Sequence, residues 1–309
     1  MLYVFNVVLP VFVLILIGYV GGRAGKLGEN ASIELNRFVV WLALPAQLFN
    51  FAANSGWQTL WQPQFITAFF LSCFTVFILV FAASYWKSRD LVAASFNSLS
   101  ASYSNTGYMG IPLCLLALGQ DGLAPAIIST FIVFVMFALA TVLIEIGMLS
   151  HKKNYQILLS VVKSLGANPL LIAPVLGLLW AASNFTLYDP IAQVISFLAA
   201  AATPCALVSI GLFLLQRSEA EVTQAWGISA AKLMIQPIVA WVIAGPIMGL
   251  PPLWLNAIVI LSALPTGTGP FMLAQYYKAD GSVISRVVLI TTVGSLVTLS
   301  LFLWWNSGI

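Results

Sequence analysis

Charge is what this chain lacks most. Only 7% of its 309 residues are Asp, Glu, Lys or Arg, against about a quarter in a typical soluble domain. So few charges cannot cover a water-exposed surface of this size, and an apolar content of 61% points to lipid. The net charge of +3 is no basis for a nucleic-acid partner. Histidine is nearly absent, with His151 alone, and the three cysteines (Cys73, Cys114 and Cys205) sit in apolar runs without C-x-x-C spacing. They read as small core residues, and neither a metal nor a cofactor is expected. No mid-membrane aspartate pair, H-E-x-x-H or G-x-S-x-G occurs, which argues against an embedded hydrolase. No basic region precedes the first apolar run and no small-residue cleavage site follows it. That run is therefore expected to be a membrane span and not a removable leader.

What is present is a series of apolar runs of roughly 20 residues, the length that spans a bilayer as helix. Ten can be drawn, over 2–21, 34–53, 64–86, 91–119, 123–149, 164–183, 190–215, 222–249, 254–277 and 282–305. None alternates strictly, so they predict helices and not barrel strands. The expected fold is an all-α polytopic membrane protein. Basic residues support this division. Arg23, Lys26, Arg37, Lys87, Arg89, Lys152, Lys153, Lys163, Arg217, Lys278 and Arg286 fall in or beside alternate connections, leaving Lys232 as the one exception among twelve. By the positive-inside rule those connections are cytoplasmic and both termini lie outside. Trp57, Trp61, Trp254, Trp304 and Trp305 fall at the opposite ends, as an interfacial belt anchored in membrane lipid would.

Two of the runs are poor candidates for unbroken helix. The fourth contains Ser102-Tyr103-Ser104-Asn105-Thr106-Gly107-Tyr108-Met109-Gly110-Ile111-Pro112, and the ninth contains Leu264-Pro265-Thr266-Gly267-Thr268-Gly269-Pro270-Phe271. Glycine and proline at these positions predict two half-helices with a break between them. Matching breaks in two halves of a membrane protein mark a transporter's binding site. The halves, 1–150 and 164–309, also correspond elsewhere: Asn6 and Pro10 against Asn168, Pro169 and Pro174, and Leu44-Pro45 against Thr203-Pro204. Five spans per half would invert the second repeat relative to the first. Half-helices starting near Pro112 and Pro270 would then point their N-termini at a common centre. Each N-terminus presents unpaired N–H groups and about half a positive charge, which suits a carboxylate. Asn105, Thr106, Thr266 and Thr268 add hydrogen-bonding side chains, and Gly107, Gly110, Gly267 and Gly269 admit close backbone approach.

Lys232, about ten residues into the eighth span, is the deepest basic residue. It is a candidate to balance the anion, or to pair with Glu145; Gln236 lies one turn on, beside Pro237. Neither break contains Asp or Glu, which disfavours a sodium/proton exchanger. Gly18 and Gly22 have the spacing of a helix contact and are a weak pointer to a dimer.

These motifs resemble a known family. Asn36-Arg37-Phe38-Val39 with Leu44-Pro45, Asn105 through Gly110-Ile111-Pro112-Leu113, Asn168-Pro169, Thr203-Pro204, Ser209 through Phe213, and Ala263-Leu264-Pro265 through Gly269-Pro270-Phe271 are similar to the auxin efflux carrier family, which includes plant auxin carriers and bacterial malonate transporters. The resemblance implies two inverted five-helix repeats with spans 4 and 9 crossing at the substrate. It implies a scaffold of spans 1, 2, 6 and 7, also the dimerisation unit, and a transport unit of spans 3–5 and 8–10. It also implies that Asn105, Pro112 and Pro270 are the crossover residues, and that Leu44 and Pro45 lie near the substrate. The long loop of the plant members is reduced here to the region around residues 151–163. The expectation is an alternating-access carrier of elevator type for a small organic anion, a homodimer in a bacterial inner membrane. The alternative is a receptor or channel-like protein using the same pocket.

Overall fold

The computed structural model describes residues 2–28, 30–54, 60–148, 166–167, 169–183, 185, 187–213, 215 and 222–306. His151, Lys152, Lys153, Lys163, Asn168, Arg217 and Trp57 lie outside the described residues, as do the side chains of Asn6, Trp304 and Trp305. Apart from one isolated bridge, the secondary structure among the described residues is helical.

In chain order the α-helices are α1 (Leu2–Arg23), α2 (Ala31–Phe38), α3 (Leu44–Asn54), α4 (Pro63–Ser88), α5 (Leu91–Ser102), α6 (Ile111–Leu118), α7 (Leu123–Met148), α8 (Pro169–Ser183), α9 (Asp189–Phe213), α10 (Val222–Ala230), α11 (Gln236–Val242), α12 (Pro252–Ala263), α13 (Gly269–Tyr276) and α14 (Ser282–Asn306). Among the described residues, five continuous helical stretches are long and apolar enough to cross a membrane, and three shorter apolar helices accompany them. One of the five, Thr106–Met148, has 43 residues. At 1.5 Å per residue it would extend about 65 Å, roughly twice a hydrocarbon core. It is folded back on itself at Gly119. That residue has φ +67 and ψ −155, a combination open essentially to glycine alone, and opens a 3₁₀ turn over Gly119–Gly122. Leu16, Leu79, Leu179, Phe197, Val297 and Leu301 are among many large apolar side chains more than half exposed, a surface suited to lipid and not to water.

Among the described residues, four five-residue π-helical stretches interrupt the α-helices, and proline explains them. Val39–Ala43 precedes Leu44-Pro45, Thr106–Gly110 precedes Ile111-Pro112, Ala231–Ile235 precedes Gln236-Pro237, and Ile243–Ile247 contains Pro246. A proline inside a helix lacks an N–H and collides with the carbonyl four residues back. Widening the preceding turn to an i−5 register removes the collision without ending the helix.

The helices pack mainly in two groups, with α1 also reaching across to α6 and α14. In one, α9 lies against α1, α2 and α3, and α3 against α8. In the other, α4, α5 and α7 pack together, with α11 on α4, α12 on α11 and α14, and α10 on α14 and α5. The first group is drawn close by glycine. A Cβ on Gly18 would strike the Val208 carbonyl, and one on Gly211 the Ile15 carbonyl. Gly22 faces Leu212 and Leu215 at about 2.5 Å from the position of its missing Cβ. Gly18 and Gly22 thus serve the α1–α9 contact within the chain, so their spacing carries no pointer to a dimer. Ser32 and Ser209 add a reciprocal clasp, each hydroxyl donating to the other's backbone carbonyl, at 3.2 and 2.9 Å.

Candidate functional site

Helix α5 ends at Ser102 and α12 at Ala263, and the chain leaves each in extended conformation, with ψ 92 at Tyr103 and 152 at Leu264. The two extended segments lie antiparallel. The Asn105 N–H donates to the Pro265 carbonyl at 2.9 Å, the Gly267 N–H donates to the Tyr103 carbonyl at 3.0 Å, and Ser104 pairs with Thr266. Backbone freed from one helix is therefore satisfied by backbone freed from the other. Non-helical chain at membrane depth is tolerated only where it is buried in protein or lines a water-filled cavity, and Ser102, Ser104, Asn105, Thr106 and Thr266 are all buried. Side chains anchor the pair: the Thr266 hydroxyl donates to the Ser100 carbonyl at 2.7 Å, and Thr291 Oγ1 accepts the Thr266 N–H at 3.1 Å.

Two helices start where the segments end. The first starts at Thr106, six residues ahead of Pro112, because the π turn Thr106–Gly110 absorbs the proline. Its opening is marked by the Asn105 carbonyl, which accepts from both Met109 and Gly110. The second starts at Gly269, with Pro270 in its first turn, where the missing N–H costs nothing. The first N–H groups of a helix have no internal acceptor, and those of Gly107, Thr268 and Gly269 find none among the described residues. The Asn105 amide is also unsatisfied: Nδ2 is buried without a partner, as is Ser104 Oγ. These donors gather at a cleft of about 30 Å³ lined by Leu44, Asn105, Thr106, Gly107, Gly267, Thr268 and Gly269, among others.

The cleft adjoins a cavity of about 490 Å³, and Tyr103, Phe134, Thr268, Gly269 and Met272 line both. At the other end of the cavity lie Ser32, Asn36, Arg37, Ser209 and Tyr277. Arg37 is mostly exposed and paired with Glu34 at 2.8 Å. Tyr277 donates to Glu145 Oε1 at 2.6 Å. The glycines differ in purpose. A Cβ on Gly267 or Gly269 would fall 2.8 or 2.6 Å from the Tyr103 ring, so both are required for that ring to lie across the crossover. Gly110 is similarly crowded, by Leu261 at 2.9 Å, and does not line the cleft. Gly107 has room, with Leu44 at 3.7 Å and Thr130 at 3.9 Å from its absent Cβ.

The sequence-predicted residues thus fall into two sets. Asn105, Thr106, Gly107, Gly267, Thr268, Gly269 and Leu44 meet at the cleft. Thr266 lies behind it, Pro265 contributes its carbonyl to the bridge, and Pro45 and Pro112 act through their π turns. Lys232 is not brought to the cleft, nor to Glu145. Its Nζ donates to the Ser262 carbonyl at 2.8 Å from a fully buried position. The expected Lys232–Glu145 pair is corrected accordingly, since Glu145 is held by Tyr277 in the cavity wall. Tyr103, Thr130, Phe134 and Met272 were not predicted as lining. They lie in or beside apolar runs where nothing local separates a lining residue from a packed one.

A helical membrane protein with two broken helices crossing at a buried, donor-rich cleft is built as a transporter. Comparison with known families agrees: the family described as membrane transport protein matches residues 3–303. The chain belongs to this family, that of the auxin efflux carriers, and is a transporter and not an enzyme. It is 32% identical over 301 residues to the "Putative malonate transporter" of Rhizobium meliloti, covering 96% of this chain and 93% of that one. It is also 28% identical to an uncharacterized transporter of Methanocaldococcus jannaschii, over 97% of each chain. An uncharacterized transporter of Methanothermobacter thermautotrophicus is 26% identical over 96% of each.

Proposed function

We propose that the chain carries a small carboxylate across the cytoplasmic membrane by alternating access, binding the carboxylate at the crossover. The observation that carries this is the convergence of two helix N-termini with the unpartnered Asn105 amide on one cleft. Donors without acceptors in a buried site are costly, and an anion satisfies them while meeting about half a positive charge from each helix end. The cleft is too small for a whole substrate, so the carboxylate enters it and the remainder occupies the adjoining cavity, walled by Phe134, Phe137 and Met272.

The reading includes ten crossings as two inverted five-helix repeats, both termini outside, in a bacterial inner membrane. The gathering of α1, α2, α3, α8 and α9 into one packed group supports a scaffold past which the other group slides, as an elevator requires. With Arg37 on the cytoplasmic side, the cavity opens inward. A homodimer belongs to this reading on the family resemblance. The 32% identity to a protein named for malonate makes malonate the first substrate to try.

The test is uptake into proteoliposomes of labelled malonate, indole-3-acetate and short monocarboxylates, with pH and potential imposed separately. Saturable uptake and counterflow of one carboxylate is the expected result. Binding without flux would make the protein a receptor, and no binding of any carboxylate would remove the anion assignment.

A further inference from the structure

Each break leaves carbonyl groups without partners as well as N–H groups. In an unbroken helix the Ser102 carbonyl would accept from the Thr106 N–H, and the Ser262 carbonyl from the Thr266 N–H. Here the Thr106 N–H goes to the Ser104 carbonyl and the Thr266 N–H to Thr291. Both stranded carbonyls are claimed by one neighbouring stretch. Gln236 Nε2 donates to the Ser102 carbonyl at 3.1 Å and to Cys73 Sγ at 3.4 Å, while Lys232 Nζ donates to the Ser262 carbonyl at 2.8 Å. The two side chains are four residues apart across the π turn Ala231–Ile235, and both are fully buried. The Ser262 carbonyl is the only hydrogen-bond partner of the ammonium among the described residues, and no carboxylate reaches it.

A buried ammonium without a carboxylate is expensive, and the charges around it show what compensates. Two half-helices end at the crossover with about half a negative charge each, and two begin there with about half a positive charge each. The four ends cancel. Lys232 then leaves the empty crossover with roughly one net positive charge, the complement of one carboxylate. In broken-helix transporters, unwound carbonyls and half-helix C-terminal ends are where a coupling cation sits. In this chain that position holds a lysine.

We infer that Lys232 is the built-in counter-cation of the crossover. Seated on the carbonyl end of α12 while Gln236 holds that of α5, it supplies from behind the positive charge against which the carboxylate binds, in place of a co-bound monovalent cation. Lys232 is a positioning and charge-balancing residue that does not touch the substrate. The inference rests on the crossover being the anion site, and it adds that binding there is independent of sodium.

Purified protein in lipid nanodiscs tests this, with malonate binding measured by calorimetry in sodium and in choline buffers of equal ionic strength, and melting temperatures measured in the same buffers without malonate. Wild type is expected to bind equally in both and to melt at one temperature. Lys232→Met keeps the side chain's length and removes its charge; malonate Kd should rise tenfold or more while the melting temperature holds, since an apolar replacement for a buried ion is commonly neutral or stabilising. Lys232→Ala opens the seat. Its melting temperature should rise with sodium, and its malonate binding, lost in choline, should return in part in sodium. Sodium dependence of the wild type overturns the inference, as does Lys232→Met binding malonate within twofold of wild type or Lys232→Ala melting without regard to sodium. If wild type binds no carboxylate at all, the anion site fails, and the melting arms still decide whether Lys232 fills a cation seat.

Discussion

The Asn105 amide is a buried donor with nothing to donate to, and at the scale of single residues this sets the sharpest expectation. A hydrogen bond to a charged group contributes about 1.5–3 kcal/mol, or roughly 10- to 150-fold in affinity. Asn105→Leu should weaken carboxylate binding by that range, and Asn105→Asp should weaken it further by setting like charge against the substrate. Calorimetry or transport KM would register both, and an unchanged KM in either would remove Asn105 from the site. Gly107 and Gly269 line the same cleft and should respond differently. Alanine fits at Gly107, 3.7 Å from Leu44, so Gly107→Ala should leave the melting temperature unchanged while its methyl occupies a cleft of only about 30 Å³ and raises KM. Alanine at Gly269 would lie 2.6 Å from the Tyr103 ring. Gly269→Ala must displace the ring, and both stability and transport should fall.

At the scale of elements, proline shapes the site without touching a ligand. The π turn Thr106–Gly110 exists because Pro112 follows it, and this turn brings both the Met109 and Gly110 N–H groups to the Asn105 carbonyl. Pro112→Ala restores a backbone donor and removes the collision behind the wide turn. The element should relax toward regular α-helix, with thermal stability kept or raised and transport reduced because the register of Asn105 shifts. A loss of stability together with unchanged transport would contradict this account. The serines of α5 show a related economy. Ser95, Ser98, Ser100 and Ser102 each donate to the carbonyl four residues back, satisfying their hydroxyls locally so that this buried half-helix needs no polar neighbours.

At the scale of the molecule, the two packed groups touch across the cavity, where the Phe213 ring on α9 meets the Phe271 ring on α13 edge-on with centroids 4.7 Å apart. If one group slides past the other, joining these positions must stop it. Phe213→Cys with Phe271→Cys, bridged by a short bis-maleimide in a background lacking the native cysteines, should abolish flux while leaving binding from the open side intact. Flux that survives complete bridging would exclude the elevator. The same cavity gives a test of sidedness: an Asn36→Cys thiol in its wall should react with impermeant reagent from the cytoplasm and be protected by substrate.

The membrane class, the helical fold and the places where two helices must break were legible in the sequence, because each follows from chemistry local to the chain. Lipid requires apolar runs, and glycine and proline interrupt helices whatever surrounds them. Of the residues named at the breaks, Asn105, Thr106, Gly107, Gly267, Thr268 and Gly269 line one cleft, while Gly110 and Thr266 do not. Tertiary structure decided what depends on approach between distant segments. It paired residues 103–105 with 265–267, gave Gly18 and Gly22 to α9 within the chain, and moved the first helix start from Pro112 to Thr106. It also separated Lys232 from Glu145. A lysine at that depth must find compensation, but its partner, the carbonyl of Ser262 thirty residues away, belongs to the backbone, which looks the same at every position of a sequence and acquires an identity only when a broken helix leaves it without a donor.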